Sequence, residues 1–93
     1  MDTSQQQPTS QRAFGRAIRE LRARRGFSQE DLGFASHLHR NYVGAIERGK
    51  INPTMRTILR LAIGLHVRPS ELLALAEERH TEMTAKEVTD QDH

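Results

Sequence analysis

The sequence predicts an all-α fold: a compact five-helix bundle that contains a helix-turn-helix. Three observations carry this. Apolar residues recur at three- and four-residue spacing in successive stretches, the period of helices with one buried face. The stretch Ser28–Gly49, SQEDLGFASHLHRNYVGAIERG, divides into two short helices around a tight turn. The aromatic residues are only Phe14, Phe27, Phe34 and Tyr42, so the core must come mostly from Leu, Ile, Val and Ala, which suits a small helical bundle. Ninety-three residues make one small domain, near the size at which a single core just suffices.

Residues 1–10, MDTSQQQPTS, are polar and Gln-rich and are expected to form a disordered arm. With no Lys or Arg, that arm has little to offer a polyanion. The domain proper is expected over 11–79. Its first helix begins near Ser10 and ends near Arg25, with Phe14, Ala17, Ile18 and Leu21 on the buried face and Gly26 as C-cap. The second helix starts sharply at Ser28. Asp31 lies three residues on, so the pair forms a capping box, and Phe27 and Leu32 are spaced as a hydrophobic staple. Glu30 and Asp31 place negative charge where the helix dipole favours it. Leu32 and Ala35 face inward, and Gly33 permits a close helix crossing at a cost of about 1 kcal/mol of helix propensity.

The turn Ser36–His37–Leu38 follows, with His37 at a left-handed position that Gly fills better. The third helix is expected over 39–48, with Leu38, Val43 and Ile46 packing down and Gly49 as left-handed C-cap. Asn52–Pro53–Thr54 turns into the fourth helix with Thr54 as N-cap. Ile58, Leu59, Leu61, Ala62 and Leu65 form its apolar face, Arg56 and Arg60 stand on the outer one, and His66 is a second strained left-handed cap. The fifth helix opens on Pro69, a favoured first residue, and Glu71 supplies half a capping box to Arg68. Leu72, Leu73, Leu75 and Ala76 cover more than one core stripe. Either all four are core, or some of them join Ile51, Leu65 or Val67 in a dimer seam. Beyond Glu78 the periodicity fades, and 80–93 is expected to be an acidic flexible tail.

Charge is divided along the chain. Residues 12–68 hold twelve Lys and Arg against four acids, a balance of +8, whereas residues 69–93 carry −5. A globular part this basic favours a polyanionic partner. Cysteine is absent, which excludes disulfides and thiolate metal sites. His37 and His39 point apart on a helix and lack a third ligand, so no metal site and no cofactor is expected. No apolar run approaches a membrane span, and the N-terminal residues lack an apolar signal core, so a cytoplasmic protein is expected. Ser28, Ser36 and Ser70 have structural explanations, and neither paired carboxylates in a pocket nor a Gly-rich phosphate loop is present, so catalysis is not expected.

Five segments in order, SQEDL, LHRNYVGAIERGK, NPT, LRLAIGLHV and SELL, resemble the Cro/C1-type (XRE-family) helix-turn-helix regulators, which include phage repressors. The resemblance runs from about Phe14 to Leu73, and LHRNYVGAIERG is also similar to restriction–modification controller proteins. It implies a lambda-repressor-like DNA-binding fold and a third helix that serves as recognition helix. It also implies a partly buried bridge between Arg22 and Glu47. The recognition helix then presents His39, Arg40, Asn41, Gly44 and Ala45 to base edges. Arg forks onto guanine and Asn onto adenine, so Arg40 and Asn41 are the main expected readers. Gly44 and Ala45 offer only van der Waals contact, and His39 is suited to a base or a phosphate. Phosphate contacts are expected from Ser28 and Gln29 at the start of the second helix, from Tyr42, and from Arg48, Lys50 and Asn52, with Arg16 and Arg56 as further candidates.

The expected function is a transcriptional regulator, of the repressor kind, that binds a pseudo-palindromic operator in double-stranded DNA as a homodimer. It would have no separate small-molecule domain. The alternatives are a restriction–modification controller, or an antitoxin-like module that meets a protein partner through its tail.

Overall fold

Five helices occupy the described residues: α1 (Thr9–Arg25), α2 (Gln29–Ser36), α3 (Arg40–Glu47), α4 (Met55–Leu65) and α5 (Pro69–Gln91). They belong to a computed structural model that describes residues 7–91. No residue there is in a strand. The core is aliphatic. Phe14, Ala17, Ile18 and Leu21 of α1 meet Leu32, Val43 and Ile46 of the helix-turn-helix, Leu61, Ala62 and Leu65 of α4, and Leu72 and Leu75 of α5. Burial of the larger side chains is worth about 1.5–3 kcal/mol each, which offsets the entropy of ordering a chain this short.

Local signals set the boundaries. The Ser28 hydroxyl accepts from the Asp31 N–H at 3.0 Å, and the Asp31 carboxylate accepts from the Ser28 N–H at 2.9 Å, closing the capping box. The bond from the Ser28 N–H is the main cause that lowers the Asp31 carboxyl pKa from its ordinary value. Thr54 caps α4 by accepting from Thr57 N–H. The Glu71 carboxylate accepts from Arg68 N–H, the half box expected at α5. His37 and His66 both take left-handed φ values, 58° and 59°, at the ends of α2 and α4.

Two glycines that the hydrophobic pattern does not explain make close helix crossings possible. A Cβ on Gly15 would stand 2.3 Å from the Ile46 carbonyl oxygen, and one on Gly64 would overlap the Ser36 hydroxyl. The first lets α1 lie against the end of α3, and the second lets α4 lie against α2. Ser36 is buried there, and its hydroxyl finds no hydrogen-bond partner.

Both ends differ from expectation. Helix α1 already begins at Thr9, with the Pro8 carbonyl accepting from Arg12 N–H at 3.1 Å. The arm is therefore shorter than ten residues, and residues 1–6 of it lie outside the described residues. At the other end, the tail expected over 80–93 is helical as far as Gln91. Its apolar period does fade. What holds it is polar pairing with α1, along which it runs antiparallel. Arg79 forks onto Glu20, donating from Nε and from Nη2 at 2.8 Å. One helical turn beyond Met83, the Glu87 carboxylate accepts from Arg12 Nη2 at 2.7 Å and from the Thr9 hydroxyl at 2.8 Å. The fork raises the Arg79 pKa and lowers that of Glu20.

On α4, Leu59 is exposed instead of packing inward. It lies between Met55 and Ile63 in an outward apolar stripe at four-residue spacing. Leu65 is fully buried and is unavailable to any dimer seam.

Candidate nucleic-acid interface

Helix α3 is anchored from below and bare above. Val43 and Ile46 are fully buried. Arg40, Asn41 and Arg48 are exposed and Ala45 is half-buried; Asn41 and Ala45 lie on the arc opposite Val43 and Ile46, Arg40 stands on the flank beside α2, and Arg48 follows at the C-cap. The start of the helix differs by one residue from expectation. His39 is the N-cap, with Nδ1 accepting from the Asn41 N–H at 3.0 Å, so only its Nε2 faces outward for other contacts. The end also shifts: Glu47 is the last helical residue and Arg48 the C-cap. Gly49 follows with φ 77°, and Lys50 N–H donates back to the Ala45 carbonyl at 3.0 Å.

Gly44 is not on the open face. It is buried, and the position of its missing Cβ lies 3.1 Å from Arg48 Nη1 and 3.3 Å from Gln29 Oε1. These two side chains close over it, and the α2 residue Gln29 is thereby drawn onto the middle of α3. Gln29 is also less free than expected, because its amide donates to Glu47 Oε1 at 2.9 Å.

Glu47 is the hub of this arrangement. Its side chain is 0% exposed. Arg22 grips it as a fork, with Nε to Oε2 at 2.6 Å and Nη2 to Oε1 at 3.0 Å, while Arg22 Nη1 donates to the Phe27 carbonyl at 2.9 Å. Arg19 Nε adds a longer contact of 3.7 Å. The hydrogen bonds to Glu47 raise the Arg22 pKa above its ordinary value. Both oxygens of the carboxylate are satisfied, which makes such a burial tolerable. One acid thus ties α3 to α1 and, through Gln29, to α2.

Around this face lie the phosphate candidates. Ser28, Arg48, Lys50 and Asn52 are exposed, and Tyr42 is half-buried against the core. The Gln29 and Glu30 N–H groups have no intrahelical acceptors and suit an anion. Glu30 itself pairs with Arg40 at 3.2 Å, an exposed contact that is easily exchanged. Arg12 was not among the expected site residues. Its stem packs over Gly49, between Arg48 and Lys50, and the Gln11 amide donates to the Gly49 carbonyl at 2.9 Å. Its spacing to Arg16 and Arg19, four and seven residues, was the available signal for a basic face on α1. Arg12, Arg16, Arg19 and Arg48 line one cleft of about 450 Å³ with Glu20, Glu47 and Met83.

Among the described residues no group of three His, Cys, Asp or Glu side chains is placed to hold a metal ion, and no helix is long and apolar enough to cross a membrane.

A capped helix pair with its second helix anchored by a buried acid and its outer face lined by Arg and Asn defines a helix-turn-helix DNA-binding protein. The helix-turn-helix family matches residues 18–72, and the chain belongs to this Cro/C1-type family of DNA-binding transcriptional regulators. It is 39% identical over 61 residues to the control protein C.BamHI of Bacillus amyloliquefaciens, covering 64% of this chain and 75% of that one. The immunity repressor protein of Bacillus phage phi105 is 30% identical over 79 residues, covering 82% of this chain and 55% of the repressor. Among solved structures, the restriction–modification controller protein C.AhdI from Aeromonas hydrophila superposes with a TM-score of 0.69 at 46% identity, over 70% of this chain and 98% of that one.

Proposed function

We propose that this chain is a cytoplasmic repressor that binds a pseudo-palindromic operator as a homodimer. The observation that carries the reading is the outer face of α3, where Arg40 and Asn41 stand side by side and exposed at the helix N-terminus. That end of a recognition helix reaches base edges in the major groove. Arg40 reads a guanine through O6 and N7, and Asn41 reads an adenine through N6 and N7. Ala45 lies against a thymine methyl, and the Nε2 of His39 meets a base or a phosphate. Ser28, the Gln29 backbone, Tyr42, Arg48, Lys50 and Asn52 hold phosphates on either side and set the register. Gly44 serves indirectly, by giving Gln29 and Arg48 their places.

One domain of this size buries too little DNA surface for tight specific binding, so two copies act together with half-sites about 34 Å apart. The seam is formed by the exposed apolar stripe Met55, Leu59 and Ile63 of α4, together with Leu73 of α5, which is 44% exposed. An Ile63→Glu, Leu73→Glu double variant should sediment as a monomer; a dimer of undiminished stability rules this seam out.

The reading is tested by selecting bound sequences from a random duplex pool at about 0.15 M salt, where specific and non-specific binding separate. A palindromic motif with guanine and adenine near the centre of each half-site supports it. Weak binding without enrichment overturns it. A second reading, control of a restriction–modification locus, is favoured by the similarity to C.BamHI and C.AhdI. Footprinting on the DNA upstream of the chain's own gene distinguishes the two: protection shared with a neighbouring endonuclease promoter supports the controller.

A further inference from the structure

We propose that Glu87 holds Arg12 out of the DNA-binding surface, so that the last turns of α5 restrain how many phosphates the domain engages. The inference rests on the DNA-binding reading above and goes beyond it, to a contact that limits affinity from within the same chain.

Arg12 is placed to serve the phosphate clamp. Its stem covers Gly49, the residue between the exposed cations Arg48 and Lys50, and it lines the same cleft as Arg48, Arg16 and Arg19. A cation at that position adds to a row that continues from the recognition helix onto α1. Arg12 is nevertheless already occupied. The Glu87 carboxylate sits 2.7 Å from its Nη2 and is also held by the Thr9 hydroxyl, at the first residue of α1. A carboxylate that accepts from an arginine and a hydroxyl at a helix N-terminus occupies the place a phosphate oxygen would take. The pair is about two-fifths exposed on the acid side and one-third on the arginine side, so it is open to exchange.

The position of Glu87 is not incidental to the fold. Two turns earlier Arg79 forks onto Glu20, a second polar tie between the second half of α5 and α1. Of the acids in this segment, expected to be a flexible tail, Glu87 is instead directed onto the basic row, while Glu82 pairs with Arg79 on its own helix. DNA must therefore displace Glu87 before Arg12 can join the clamp.

Binding of a generic duplex and of a selected site is measured against salt for the wild type, Glu87→Gln, Glu77→Gln and the double variant Arg12→Ala, Glu87→Gln. Glu77 is exposed on the same helix and serves as a control for loss of charge alone. Glu87→Gln should steepen the slope of log K against log salt by about one unit and raise affinity for both duplexes roughly fivefold to tenfold at 0.1 M salt, the effect of one more released counterion. Glu77→Gln should leave the slope in place, and the double variant should return to the wild-type slope or below it. An unchanged slope in Glu87→Gln overturns the inference. So does a gain that survives in the double variant or appears equally in Glu77→Gln, since the effect would then be net charge. If the wild type binds no duplex at all, the DNA-binding reading itself fails first and takes the inference with it. Circular dichroism of each variant checks that α5 remains helical, so that an unfolded extension is not mistaken for a freed arginine.

Discussion

At the residue scale, the two charged side chains at the ends of α3, Arg40 and Glu47, have opposite consequences. Arg40 is exposed, and its one partner, Glu30, is a surface contact. Arg40→Ala should leave the melting temperature within a degree or two and remove about 1–3 kcal/mol of preference at a single base pair. Competition between point-mutated operators measures this, and an equal loss on every sequence would make Arg40 a phosphate contact instead. Glu47 is the reverse case. Its carboxylate is fully buried and serves Arg22, Gln29 and Arg19 at once. Glu47→Ala should destabilise the fold by about 3–5 kcal/mol, because Arg22 is left charged and without its partner. An unchanged thermal midpoint would show the network to be dispensable. Ser36 offers a third measurement. Its hydroxyl is buried without a partner, so Ser36→Ala should raise stability by about 1 kcal/mol. A drop of similar size would mean that the hydroxyl fills space that alanine cannot.

At the scale of the element, capping chemistry was the most legible part of the sequence. Ser28–Asp31, Thr54–Thr57 and Arg68–Glu71 all form the local hydrogen bonds that their spacing implies, because a cap depends on residues within one turn of each other. The left-handed ends at His37 and His66 were legible for the same reason. Each carries a side chain where glycine is less strained, so His37→Gly should stabilise the fold by about 1 kcal/mol; urea unfolding measures it, and a loss of stability would assign His37 a contact. What local pattern could not show was contact between distant segments. Nothing near Gly15 or Gly64 reveals that another backbone or a buried serine lies against it. Nothing within residues 79–91 reveals that Glu20 and Arg12, far away in the chain, supply the partners that replace an apolar stripe. Gly44 was misplaced for a related reason: its spacing puts it on the outer face, but the side chains of Gln29 and Arg48 cover it.

At the scale of the whole molecule, the ion pair that ties α5 to α1 makes the fold sensitive to acid. Glu20 has its pKa lowered from an ordinary 4.5, chiefly by the hydrogen bond from Arg79. A carboxyl whose folded pKa lies below the unfolded one stabilises the fold at every pH above the unfolded value, and that contribution is lost as pH falls through the folded value. The long arm of α5 should therefore loosen below about pH 4.5, and the thermal midpoint should decline with falling pH in that range. Glu20→Gln should flatten this limb while leaving the neutral-pH helix signal of residues 9–78 intact. A limb as steep as that of the wild type would place the acid sensitivity in other carboxylates.

The anchoring of α3 has one more consequence. Every residue that holds the helix in place lies on its inner side or behind a neighbour, whereas Arg40, Asn41 and Ala45 have no structural duty that another side chain could not perform. On the proposed reading, in which these three residues meet the operator, address and scaffold are separately editable. A duplicate of this gene can drift to a new operator through a few exchanges on the outer arc without passing through an unfolded ancestor, and a designer can rewrite the same three positions while keeping the rest of the chain as a fixed chassis.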